Sequence, residues 1–112
     1  MEFTHQGAPW NASTQKTGIT WGTSVERLRM KKDFALVQRW AEAQDRPILL
    51  GEFGAYDKGD MASRADYTAA AREAEAHGWA WAYWQFDGDF VVFDMKTDSW
   101  VKPIHDAFIP RN

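Results

Sequence analysis

Two residues in this sequence carry reactive groups at positions where α/β proteins commonly place their chemistry. Glu52 follows the apolar run Pro47-Ile48-Leu49-Leu50-Gly51, and Trp84 lies near the end of Trp79-Ala80-Trp81-Ala82-Tyr83-Trp84-Gln85-Phe86. If both runs are parallel strands, both residues sit at carboxyl ends, where functional groups of such folds collect. A carboxylate there can act as acid, base or nucleophile, and a flat indole can stack on a ligand. Structural roles are also open. Glu52 could be an exposed loop acid or the partner of a nearby arginine, and Trp84 a packed core ring. Ala80 and Ala82, on the same side of the strand as Trp84, favour an exposed ring.

Other chemistries find little support. The chain has no cysteine, which excludes disulfides, thiolate metal sites and cysteine nucleophiles. His5, His77 and His105 are far apart and lack metal-ligand spacing. Asp87-Gly88-Asp89 and the segment from Asp57 to Asp60 lack the ordered oxygen ligands of a calcium loop. There is no phosphate-binding glycine loop and no Gly-x-Ser-x-Gly elbow. No metal or cofactor is expected. A net charge of -3 argues against nonspecific binding to nucleic acid. The longest apolar run, around Trp79 to Trp84, is far too short to span a bilayer, so no membrane partner is expected.

The elements that must position these groups can be read from periodicity. The 112 residues allow one small domain. Aromatic residues make up 15% of the chain, which means either a bulky core or rings offered to a ligand. Residues 1–22 read as loop, punctuated by glycine, proline and small polar residues. The sequon Asn11-Ala12-Ser13 falls within it. Met30, Phe34, Val37 and Ala41 mark one face of a helix over 25–44, widened by Leu36 and Trp40. Arg27, Arg29, Lys31 and Lys32 read as its solvated edge. Asp45-Arg46-Pro47 ends it, because a residue before proline avoids the helical region. Residues 47–52 predict a strand buried on both faces. A second helix follows over 61–77, with Tyr67, Ala70, Ala71 and Ala74 as its buried stripe and Gly78 as a left-handed cap. Alternation over 79–86 puts Trp79, Trp81, Tyr83 and Gln85 on one side and Ala80, Ala82, Trp84 and Phe86 on the other. Phe90–Phe93 is a short extended piece, Lys96-Thr97-Asp98 a turn, and 102–109 a last helix opened by Pro103. Strands alternating with helices imply an α/β fold with parallel strands.

The segment Pro47-Ile48-Leu49-Leu50-Gly51-Glu52-Phe53-Gly54-Ala55-Tyr56 resembles the seventh-strand motif of family 5 glycoside hydrolases, the cellulase family. Trp81-Ala82-Tyr83-Trp84-Gln85-Phe86 resembles the eighth-strand motif, and Phe3-Thr4-His5-Gln6-Gly7-Ala8-Pro9-Trp10 is similar to the segment after the sixth. Asp60-Met61-Ala62-Ser63-Arg64 and Trp100-Val101-Lys102-Pro103-Ile104 fit the later helices. The resemblance covers nearly the whole chain in the family's order. It implies a single partial domain over 1–112: the last third of a (β/α)8 TIM barrel, comprising the end of unit six and units seven and eight. It also implies an endo-β-1,4-glucanase type of retaining hydrolysis, with Glu52 as nucleophile and Trp84 as the floor of the subsite beside the cleaved bond. Trp10, His5 and Tyr56 are the further substrate-binding candidates, for a β-glucan or cello-oligosaccharide. For Trp10 and His5, packing roles are equally open.

A whole barrel takes about 250 residues. The family's Asn-Glu pair bearing the acid/base is absent here, as are its earlier-strand Arg and His and its sixth-strand His-x-Tyr pair. Glu26, Glu42, Glu73 and Glu75 fall on helices, and Asp87 and Asp89 read as turn formers, so none is assigned as acid. Loss of leaving-group protonation is worth about 10²- to 10⁴-fold. A non-catalytic carbohydrate-binding fragment is therefore the alternative function, with Trp84, Trp10 and Tyr56 as platforms. A symmetric pair bringing two Glu52 side chains together is a third. Open strand edges invite association, so an oligomer is expected. The family resembled is usually secreted.

Overall fold

The computed structural model describes residues 3–10 and 17–111. The sequon at 11–13 lies outside them. Helix α1 spans Ser24–Gln44 and opens with a capping box. The Thr23 hydroxyl accepts the Glu26 N–H, and the Glu26 carboxylate accepts the Thr23 N–H. The Thr23 N–H bond, followed by bonds the carboxylate accepts from the Thr23 hydroxyl and the Gly22 N–H, holds the Glu26 carboxyl below its usual range. The stop is Asp45 in the left-handed conformation (φ 51°), two residues before the proline invoked above.

Strands β1 (Leu49–Leu50) and β2 (Ala80–Trp81) pair in parallel, Leu49 against Ala80 and Leu50 against Trp81. Between them run α2 (Met61–Thr68) and α3 (Ala70–Ala76). The single helix expected over 61–77 is broken at Ala69. The Thr68 hydroxyl donates to the Arg64 carbonyl at 2.7 Å, competing with the helix's own bonding one turn back. Asp60 caps α2 by accepting the Ser63 N–H at 2.9 Å. Gly78 (φ 74°) closes α3, its N–H donating to Glu75, as its position in the sequence predicts.

After β2, an antiparallel hairpin joins β3 (Phe93–Asp94) and β4 (Ser99–Trp100), and α4 (Lys102–Phe108) follows. The sequence predicts its turn and an extended piece ending at Phe93, but not the pairing with Ser99–Trp100. The core gathers Phe53, Ala70, Ala71, Val92, Ile104 and Phe108, with Leu50, Trp81 and Tyr83 packed against it. All of it lies on one face of the β1–β2 sheet. The other face is bare: Leu49 is 64% exposed, and Ala80 and Ala82 are exposed too. The expected burial on both faces is thus corrected to burial on one. The described residues supply two paired strands here and no layer over the second face.

Alternation along 79–86 is as expected. Trp79 is buried, Trp81, Tyr83 and Gln85 are half-buried, and Ala80, Ala82, Trp84 and Phe86 are exposed. In α1, Met30 and Phe34 pack against the core and Ala41 is buried. Leu36, Val37 and Trp40 do not join them, being 59%, 40% and 56% exposed. Trp40 and Leu36 lie with exposed Val25 and Leu28 on the outer side of α1, interspersed with exposed Arg29, Lys32 and Arg39.

Candidate active site

Beyond the two-residue ladder, strand pairing continues irregularly. The Ala82 N–H donates to the Leu50 carbonyl at 2.9 Å, and the Trp84 N–H to the Phe53 carbonyl at 2.9 Å. A regular parallel ladder would take Trp84 to Glu52. One extra residue is therefore inserted on the β1 side, a bulge at Gly51–Glu52. Its effect shows in the burial order. Leu50 faces the helices, Gly51 and Glu52 are both exposed, and Phe53 is buried. Without the bulge, Glu52 would point with Leu50 toward the core. With it, the carboxylate turns to the bare face and Phe53 takes the core position, edge-on to Trp81 and Tyr83.

Trp84 occupies the same bare face of the neighbouring strand. Its ring is 48% exposed, and the Trp84–Gln85 peptide is cis. Gly54 presses against it: a Cβ at Gly54 would lie 1.9 Å from the Trp84 carbonyl oxygen. Behind this junction the Tyr83 hydroxyl donates to the Phe90 carbonyl at 2.7 Å, and buried Arg64 donates through Nε to the Ala55 carbonyl at 3.3 Å. Burial pushes the Tyr83 phenol up to about 12 and lowers the Arg64 guanidinium.

The first loop completes the rim. Buried Gln6 ties it down, donating to the Ile19 carbonyl at 2.7 Å and accepting the Ile19 N–H at 3.0 Å. Thr4 accepts the Tyr56 N–H through its carbonyl at 2.8 Å, and its hydroxyl bonds His5 Nδ1 at 2.8 Å. The His5 ring meets Phe90 edge-on. Trp10, 56% exposed, stands edge-on to Tyr56 at 5.2 Å.

A cavity of about 380 Å³ opens between these elements, lined by residues that include His5, Trp10, Glu52 and Trp84. Four of the five candidate residues thus converge. Tyr56 does not. It is 6% exposed, packed among Ala8 and Phe90, and offers no ring face to a ligand. What it offers the cavity is its contact with the Trp10 ring. The cavity also takes in Thr4, Phe90 and Tyr67, which sequence reasoning missed. Tyr67 reads in the sequence as one more apolar stripe residue, and burial raises its phenol. Glu52 makes no ion pair or hydrogen bond with another of the described residues. No group of three or more His, Asp or Glu gathers among the described residues as a metal site would require.

The family model of Cellulase (glycosyl hydrolase family 5) matches residues 3–89. Endoglucanase B of Clostridium cellulovorans is 26% identical over 106 residues, covering 87% of this chain and 24% of that protein. The structure of Thermotoga maritima Cel5A with cellobiose superposes with a TM-score of 0.91 and 38% identity, over 96% of this chain and 35% of that one. The same enzyme with mannotriose gives 0.91 and 38%, over 96% and 35%. With the family model matched along most of its length, and a third of a family enzyme reproduced in three dimensions, the chain belongs to glycosyl hydrolase family 5, the cellulase family.

Proposed function

We propose that this chain is the catalytic-nucleophile portion of a retaining endo-β-1,4-glucanase: the end of unit six and units seven and eight of a (β/α)8 barrel, as one partial domain. The observation that carries the proposal is the convergence of Glu52 and Trp84 on one cavity, at the carboxyl ends of adjacent parallel strands. In this role Trp84 stacks on the apolar face of a sugar ring, with Trp10 and His5 at the rim. Glu52 attacks the anomeric carbon, forming a glycosyl-enzyme as the aglycone oxygen leaves with the bonding electron pair. An acid/base about 5 to 5.5 Å from the nucleophile protonates a poor leaving group. No residue of this chain is assigned that role, so β-glucan is a substrate only where another polypeptide segment supplies it. The complexes of Cel5A with cellobiose and mannotriose support β-linked oligosaccharides as the ligand class.

A substrate that needs no acid isolates the step. With 2,4-dinitrophenyl 2-deoxy-2-fluoro-β-cellobioside, the carboxylate displaces dinitrophenolate directly. The expected result is one fluorocellobiosyl group per chain by intact mass, mapped to Glu52 and absent in Glu52→Gln. No label, together with tryptophan quenching by cello-oligosaccharides that is unchanged in Glu52→Gln, supports the second function, a non-catalytic sugar-binding fragment. The exposed rings of Trp84 and Trp10 favour that one. Alone, the chain's free strand edges make self-association the expected state. A monodisperse monomer in light scattering would count against this.

A further inference from the structure

We propose that Arg64 is a positioning residue for the reaction assigned above: its guanidinium, behind the cavity, ties the loop after Glu52 to the strand carrying Trp84 and so limits how far nucleophile and indole can part. The inference deepens that reading of Glu52 and rests on it. Arg64 belongs to Asp60-Met61-Ala62-Ser63-Arg64, the segment that caps and opens α2. It is 2% exposed, and no carboxylate lies within ion-pair reach of it among the described residues. Burying a cation without a carboxylate is costly, so a packing role alone is better filled by an apolar side chain of similar volume.

The guanidinium holds parts of the site instead. Its Nε donates to the carbonyl of Ala55, three residues after Glu52, at 3.3 Å. The same group acts on the Tyr83 hydroxyl by charge and hydrogen bonding, against the rise that burial gives the phenol. Tyr83 immediately precedes Trp84, and its hydroxyl donates to the carbonyl of Phe90, whose ring lines the cavity. The Arg64 stem is fixed as well: a Cβ at Gly59 would meet Arg64 Cγ and Gln6 Nε2, both at 3.4 Å. Contact between Gly54 and the Trp84 carbonyl stops loop and strand from closing further. Arg64 keeps them from drifting apart. A rigid planar fork can reach both segments at once, whereas a lysine ammonium on a flexible stem cannot.

Arg72 is an internal control. Like Arg64 it has a buried guanidinium nitrogen without a hydrogen-bond partner among the described residues. Its Nη2, however, donates to Glu75 and to the Phe108 carbonyl, and neither residue lines the cavity. Arg64→Met, Arg64→Lys, Tyr83→Phe, the double variant of Arg64→Met with Tyr83→Phe, and Arg72→Met are compared with the parent chain. Intact mass gives the maximal rate constant of labelling by 2,4-dinitrophenyl 2-deoxy-2-fluoro-β-cellobioside. Tryptophan quenching gives cellotriose affinity, and urea unfolding the folded fraction. Misplacing reacting groups by about 1 Å costs up to about 10²-fold, so folded Arg64→Met and Arg64→Lys should label at least about tenfold more slowly than the parent. Arg64→Met should cost less on top of Tyr83→Phe than alone, because the two act through one link. Arg72→Met should lower the urea midpoint and keep the parental rate. Where Arg64→Met fails to fold, Arg64→Lys decides. Parental labelling by folded Arg64→Lys, or an equal loss in Arg72→Met, would overturn the inference. A parent chain that binds cellotriose without being labelled would sink the nucleophile reading; the role of Arg64 then stands only if folded Arg64→Lys binds cellotriose more weakly and Arg72→Met does not. A parent chain that neither labels nor binds would sink both.

Discussion

Replacing Gly54 by alanine would place a methyl group 1.9 Å from the carbonyl oxygen of Trp84. Real Cβ contacts do not fall below 3.0 Å, so the two backbones must separate by more than an ångström. The neighbour is main chain, with no rotamer to yield. That displacement falls on the junction at which the Trp84 N–H donates to the Phe53 carbonyl at 2.9 Å. Overpacking of this kind costs about 1–3 kcal/mol, and the strained or lost hydrogen bond about 0.5–1.5 more, so Gly54→Ala should destabilise the chain by roughly 2–4 kcal/mol. Gly51, three residues earlier in the same segment, is the internal control. Its added Cβ would meet only Leu49 atoms at 3.9 Å, an ordinary contact, and its φ is not left-handed. Gly51→Ala should change stability by less than about 1 kcal/mol. Urea unfolding followed by tryptophan fluorescence measures both. Labelling by the fluorinated cellobioside reports whether the Glu52–Trp84 junction survives. Equal stability and equal labelling of the two variants would refute the claim that contact between backbones sets the spacing of nucleophile and indole.

Three further outcomes follow from local geometry. The Tyr83 phenol, raised from 10.0 to about 12 by burial, holds its proton more tightly folded than unfolded. Its contribution to stability is complete below pH 10 and is lost as pH rises toward 12, so alkaline melting should show a fall in that window that Tyr83→Phe reduces. Tyr56→Leu should weaken cello-oligosaccharide binding by freeing the Trp10 ring it braces, whereas Tyr56→Phe, which keeps the edge-on contact, should not; fluorescence titration of both variants decides. Asp45→Gly should raise stability by about 0.5–1 kcal/mol, because the left-handed C-cap at φ 51° suits glycine better than aspartate; thermal melting with no gain would refute it.

Legibility of the fold depended on which force each element obeys. The alternation from Trp79 to Phe86 was readable because a single covered face imposes period two, and the structure repeats it residue by residue. The extent of α1 was readable from its periodic stripe, but the destination of Leu36 and Trp40 was not. An apolar residue on a helix announces burial without saying against what. Leu49 failed for the same reason. A run such as Pro47–Leu50 signals a strand with two apolar faces, and here one of them stays largely exposed, with Leu49 at 64%. The break at Ala69 turns on a threonine hydroxyl choosing a carbonyl one turn back, a choice that propensity does not encode. In the site, Glu52 and Trp84 were readable from their places at strand ends. The bulge that aims Glu52 was not, because it exists only in the pairing of two segments thirty residues apart in sequence. Tyr56 was misread as a platform, since an aromatic one loop away from a carboxylate looks the same in sequence whether its ring faces out or in.

The bulge at Gly51–Glu52 gives the direction of the carboxylate the character of a parity bit. Whether Glu52 faces the cavity or the core depends on an odd or even count of residues between Leu50 and Phe53, and hardly at all on what those residues are. Substitution leaves a count untouched. A one-residue deletion reverses it, sending the charge inward and the Phe53 ring outward in a single event. For anyone diversifying this segment, libraries of constant length keep the site addressable, and libraries that vary length toggle it off. The same asymmetry would act on lineages, with side chains free to drift here while the spacing stays locked.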